Sequence, residues 1–180
     1  MNNNPTSTTH PIVERAFCVV DLENLAQGSA NVGHLSRYLQ RVVDSVTSTF
    51  QTHITVVATG PRVIDQSPEI LWDWNGCRFL TGHGLDGADK ELISVLTDEP
   101  AAAASSHILI WSGDHIFSHA ASQLRARGCR VSVFGPTGAI SAGLKLVANE
   151  VTELPFRRVC PREHPSVSQF DHSNDLAVAL

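Results

Sequence analysis

An α/β fold, a parallel sheet covered by helices on both faces, is what this sequence predicts. Two observations carry that reading. Short apolar runs rich in β-branched residues alternate along the chain with segments of helical spacing. The apolar runs are continuous rather than alternating, as strands buried on both faces read. Alternation of this kind brings right-handed crossovers and puts the strand ends on common edges.

The elements follow in order. Residues 1–14 and 161–180 are polar, aperiodic and rich in Ser, Pro or His, and read as tails around one domain spanning 15–160. Ala16–Leu22 is the first buried strand. Leu35, Tyr38, Leu39, Val42, Val43, Val46 and Phe50 then follow helical spacing. His53–Thr59 is the second strand. Pro61–Asn75 is less regular, with Ile70, Leu71, Trp72 and Trp74 suggesting a short helix over the sheet. Cys77–Thr81 reads as a third strand and Ala88–Leu96 as a helix. Asp98–Ser106, with Pro100 and four consecutive alanines, reads as a surface loop. His107–Trp111 is a strand, Ile116–Arg127 a helix, Arg130–Phe134 a strand and Ile140–Ala148 a helix. Val151–Leu154 makes a sixth strand. No repeats are visible.

Composition sets mild limits. The 180 residues suffice for one buried core, and 42% hydrophobic with 17% charged content is ordinary for a soluble globular protein. No apolar stretch approaches membrane-spanning length and the start lacks a signal-peptide layout, so no membrane association and a cytoplasmic location are expected. Cys18, Cys77, Cys129 and Cys160 form no CxxC pair, and three of them lie in or beside predicted strands, where buried free thiols are common, so a structural role is favoured over a zinc site. The net charge of −5 does not advertise nucleic-acid binding, yet seven of the thirteen basic residues lie after position 120. Arg is the better partner for phosphate oxygens, so a group such as Arg125, Arg127 and Arg130 can bind substrate despite an acidic total. A solvated helix surface is the plain alternative.

Three acid-bearing segments each follow a predicted strand: Asp21-Leu-Glu-Asn24, Gly84-Leu-Asp-Gly-Ala-Asp89 and Ser112-Gly-Asp114. Carboxylates after separate parallel strands converge on one edge. Forced together they repel, and a hard divalent cation such as Mg²⁺ or Mn²⁺ is the usual remedy. Metals held in this way serve phosphodiester cleavage. Each acid also has a plainer role: Asp21 as a helix N-cap, Asp86 and Asp89 as first-turn acids favoured by the helix dipole. Asn24 either orients water or phosphate or closes its loop, and Ser112 either caps a helix or binds phosphate.

Other motifs carry less. Gly82-His-Gly84-Leu-Asp-Gly87 matches GxGxxG, but it stands in the third unit and two acids occupy the helix start that a pyrophosphate needs positive. His115 and His119 lie one turn apart without a third ligand at zinc spacing. His83, beside Asp86, is better placed to touch a scissile phosphate. No G-x-S-x-G and no Walker A loop is present, which shifts weight toward a metal-activated water.

The order and spacing of four segments resemble the NYN branch of PIN-like domains, the group that includes YacP-like nucleases. They are Val19-Val-Asp21-Leu-Glu-Asn24, Gly87-Ala-Asp89-Lys-Glu-Leu92, Ile110-Trp-Ser-Gly-Asp114-His-Ile-Phe117 and Leu124-Arg-Ala-Arg-Gly128-Cys-Arg-Val131. The resemblance implies a doubly wound parallel sheet of order 3-2-1-4-5 and Mg²⁺- or Mn²⁺-dependent ribonuclease activity. It makes Asp21, Asp89 and Asp114 the metal ligands, with Asp86 as an outer or second-metal ligand and Asn24 beside them in the catalytic set. Ser112, with Arg125, Arg127 and Arg130 of the basic stretch noted above, is expected to bind substrate. RNA is the expected partner, with a homodimer as a further option. Where many members carry a second acid after this Ser-Gly-Asp, the chain has Ile116. That departure motivates the alternative: a weakened or inactive RNA-binding or protein-interaction module on the same scaffold.

Overall fold

Residues 14–155 are described by a computed structural model. Six strands pair in parallel in the order β3-β2-β1-β4-β5-β6: β1 (Arg15–Asp21), β2 (Thr52–Thr59), β3 (Arg78–Thr81), β4 (His107–Trp111), β5 (Arg130–Pro136) and β6 (Glu150–Leu154). The expected order is present with the sixth strand added at the β5 edge. Apolar, β-branched runs favour these strands because both faces of each are covered.

Alternate side chains divide the core in two. Phe17 and Val19 of β1, with Ile108 and Ile110 of β4, meet α5 (Gly87–Asp98), α6 (Pro100–Ala103), α7 (Ser118–Ala126) and α8 (Ala142–Val147). Cys18, Val20, Leu109 and Trp111 face the other way, onto α1 (Leu22–Leu25), α2 (Val32–Thr47), α3 (Pro61–Gln66) and α4 (Ile70–Asp73). The chain thus winds outward from β1 to β3 on one face, crosses back to β4, and winds outward again on the other. Right-handed crossovers demand that switch of faces. Aromatic anchors pin both ends of the second layer. Trp74 is buried and its Nε1–H donates to Ser36 Oγ at 3.0 Å, tying the end of α4 to α2. Trp111 stacks on Phe134 with ring centroids 4.2 Å apart. Large buried side chains of this kind stabilise by roughly 1.5–3 kcal/mol each.

Three expectations change. Asp98–Ser106 is not a surface loop: α6 forms there, with Ala102 fully buried. Pro100 opens the helix, where its fixed φ and missing N–H do no harm, and alanine is the best helix former. Pro61–Asn75 holds two short helices rather than one, again with a proline at the first position of α3. The helix expected over Ile116–Arg127 begins as a tighter turn, His115–Phe117, because the Asp114 side chain caps it. Cys160 and the basic residues Arg157, Arg158 and Arg162 lie outside the described residues, as do residues 1–13 of the expected first tail and all of the second, 161–180. Among the described residues no helix is long and apolar enough to cross a membrane.

One close approach positions the functional edge. The Gly82 N–H continues the sheet by donating to the Thr59 carbonyl at 3.1 Å. The chain then loops through His83–Asp86 and passes directly over Gly82 as α5 begins. A Cβ on Gly82 would collide with the Gly87 carbonyl carbon and the Ala88 nitrogen, and one on Gly87 would sit 2.6 Å from the Gly82 carbonyl carbon. Backbone cannot yield as a side-chain tip can. Gly82→Ala is therefore expected to cost at least the about 1–3 kcal/mol of overpacking, lowering the melting temperature by about 2–4 °C per kcal/mol. Thermal denaturation checks this, and an unchanged midpoint contradicts it.

Candidate active site

The carboxyl ends of β1, β2, β3 and β4 open on one cleft of about 710 Å³, at the edge where the strand order reverses between β1 and β4. Asp21 ends β1 at its floor and is 3% exposed. Its Oδ1 accepts from the Asn24 N–H at 3.1 Å, which caps α1, and its Oδ2 accepts from the Ser112 hydroxyl at 3.0 Å. Asp89, in the first turn of α5, comes within hydrogen-bonding reach of the Asp21 carboxyl. Two carboxyls can share a hydrogen bond only if one keeps a proton. Asp86 precedes α5 with φ of 52° and gives it no side-chain cap. It is exposed and lines the cleft. Asp114 follows β4; its Oδ1 accepts from the Ile116 N–H at 3.0 Å and lies 2.8 Å from His115 Nδ1.

Crowding sets the electrostatics. Burial first, and then the charge of Asp89, push the Asp21 carboxyl up to about 8, against the pull of the Asn24 N–H and the Ser112 hydroxyl. Asp89 is raised too, first by its own burial and then by the charges of Asp114, Asp86 and Glu23, while its bond with Asp21 works the other way. The titration belongs to the pair. Glu23, in the same segment as Asp21, turns to the second strand: its Oε1 accepts from the Gly60 N–H at 2.9 Å and from the Thr59 hydroxyl at 3.3 Å.

The lining residues suit a hard divalent cation. Their donors are carboxylate oxygens from Asp21, Glu23, Asp86, Asp89 and Asp114, with Arg62 the sole cationic side chain among the described residues that line the cleft. The shared proton between Asp21 and Asp89 marks a position where positive charge is called for. The set is not closed around a point, however. Among the described residues no three of His, Cys, Asp and Glu stand together as a ready ligand group. At Asp114 one oxygen, Oδ1, is engaged by the Ile116 N–H and by His115.

Asp21, Asp86, Asp89 and Asp114 all line this cleft. Asn24 lines it, but its Oδ1 accepts from the Gly113 N–H at 2.7 Å and so joins the β1 and β4 loops. Ser112 is 1% exposed. Its hydroxyl donates to Asp21 and accepts from the Asp114 N–H at 3.2 Å, holding the two acid-bearing turns together from beneath. Arg125, Arg127 and Arg130 are not brought to the cleft. Arg130 begins β5 opposite His107, the first residue of β4, about 13 Å along the strand from the acid edge. It pairs with Glu150, and Arg125 donates to the Val147 carbonyl at 3.3 Å. Two cleft residues, Glu23 and Arg62, carry no periodic signal. Their placement right after the first and second strands is the cue that could have found them.

A family model described as NYN domain matches residues 18–155. The match is to the family as a whole and does not single out the YacP-like branch. No curated protein matches the chain. Among solved structures, a protein of unknown function from Vibrio parahaemolyticus shares the fold with a TM-score of 0.58 at 15% identity, over 81% of this chain and 95% of that one.

The proton shared at Asp21 makes stability depend on pH. The folded carboxyl holds its proton to about 8 while the unfolded one releases it near 3.8. Its contribution is therefore full below the unfolded value and lost as pH rises toward 8. Without divalent metal, the melting temperature is expected to fall across that window. Asp21→Asn keeps an acceptor for the Asn24 N–H and offers Asp89 a donor in place of the proton. The variant should melt higher than the parent at pH 8 and show a flatter profile, measured by thermal denaturation in chelator. A parent profile that rises from pH 5 to 8 contradicts the shared proton.

Proposed function

Because the chain belongs to the NYN family of PIN-like nucleases, we propose that it is a ribonuclease dependent on Mg²⁺ or Mn²⁺. One observation carries the reading: Asp21 and Asp89 crowd within hydrogen-bonding reach of each other in a cleft lined by further acids, and both carboxyls are raised. Uncompensated negative charge there is costly for the protein alone and useful once a cation is bound. Asp21 and Asp89 would hold the ion, Asp114 would join them on leaving Ile116 and His115, and Asp86 would stand further out. When bound, the cation supplies charge that activates water and offsets the charge growing on the attacked phosphate.

The remaining tasks fall to the chain. Ser112 and the Asn24 N–H fix the Asp21 oxygens in place, so that little reorganisation accompanies binding. Asn24, through Gly113, keeps the β4 turn beside the β1 turn. Phosphodiesters of RNA are the proposed substrate class.

Ile116 and the engaged carboxylate of Asp114 favour a second reading, a module that binds RNA and cuts it poorly or not at all. Cleavage assays separate the two. On an unstructured ribo-oligonucleotide with Mn²⁺, the parent is expected to cleave. Asp89→Asn and Asp114→Asn are each expected to lose about 10²-fold or more in kcat/KM while remaining folded. RNA that is bound but not cut by the parent supports the module. Cleavage that is unchanged in both variants contradicts the acid site.

A further inference from the structure

Among the described residues, Arg62 is the cleft cation that no acid claims. It follows Pro61 at the start of α3, directly after β2, and it is exposed. Five carboxylates line the same cleft, yet none forms an ion pair with it. Four of the five acids have other partners, and the fifth, Asp86, is exposed. Glu23 is taken by the Gly60 N–H and the Thr59 hydroxyl, Asp114 by the Ile116 N–H and His115, and Asp21 by Asn24, Ser112 and Asp89. A guanidinium is thus held free at the rim of a strongly negative cleft. Its mount is fixed, since proline sets the backbone at the first helical position and Val63 beside it is fully buried.

From this placement we propose that Arg62 binds a phosphate of the substrate strand next to the one attacked. The inference rests on the ribonuclease reading above. An acidic cleft repels a polyanion everywhere except where a cation stands. A metal held by the acids would cover the floor, and Arg62 is the cation on the wall among the described residues. The planar guanidinium donates in parallel to two phosphate oxygens, whereas lysine offers a point charge and no such fork. Leu85, 82% exposed on the neighbouring loop, stands beside that path. Its backbone is held by Lys90, whose Nζ donates to the Leu85 carbonyl at 2.8 Å.

The test compares the parent, Arg62→Lys and Arg62→Ala on an unstructured ribo-oligonucleotide with Mn²⁺, over a range of salt concentrations. Arg62→Ala is expected to raise KM about tenfold with kcat within about twofold of the parent. It should also flatten the dependence of log KM on log salt by about 0.7, one single-strand phosphate contact. Arg62→Lys should keep the salt slope and recover only part of the KM. A merely structural arginine would leave the salt slope alone. If the parent cleaves and Arg62→Ala matches it in KM and slope, or loses only kcat, the Arg62 assignment is overturned and the ribonuclease reading stands. If the parent neither cleaves nor binds the oligonucleotide, both are overturned.

Discussion

A carboxyl at the buried end of β1 is the constraint on which the rest of the site turns. Asp21 is delivered there by a strand whose other side chains are needed in the two core layers, and it cannot withdraw without breaking the sheet. Burial alone disfavours its charge, and Asp89 then meets it from α5. The protein meets the cost locally with the Asn24 N–H, the Ser112 hydroxyl and a shared proton. Each of these belongs to a different turn, so the bonds that support Asp21 are also the bonds that hold the turns after β1 and β4 and the start of α5 at one place.

The fold supplies the convergence. Reversal of strand order between β1 and β4 leaves a crevice where neighbouring turns diverge to opposite faces. Gly82 and Gly87 bring the third turn into the same crevice by a backbone contact that no side chain could share. The glycines that spell a nucleotide-binding motif in the sequence therefore have another use here: two of them pack strand against helix, so that Asp86 and Asp89 are presented to the cleft. A pyrophosphate at that helix start would face acids rather than free N–H groups.

Much of this was legible in the sequence because the strands are buried on both faces. Continuous apolar runs mark them, and the acids that follow those runs mark the edge. The misreadings have physical causes. Asp98–Ser106 looks like a loop because it lacks periodicity, yet alanines after a proline form a helix that a four-residue window cannot reveal as amphipathic. Arg125, Arg127 and Arg130 cluster in sequence at the end of a helix and the start of a strand. Chain direction places such residues at the edge opposite the strand ends, where Glu150 and the Val147 carbonyl occupy two of them. Side-chain rotation is a further layer that no pattern encodes. Asp114 lines the cleft, and its Oδ1 is drawn to the Ile116 N–H and His115.

On the proposed function, the proton between Asp21 and Asp89 holds the place of a divalent cation. Calorimetric titration of the metal-free protein with Mn²⁺ at pH 7, repeated in buffers of different ionisation enthalpy, reads both events at once, because metal binding releases the protons its ligands held. Saturable binding with about one proton released per first ion is the predicted result. Binding without proton release, or no binding at millimolar Mn²⁺, contradicts it.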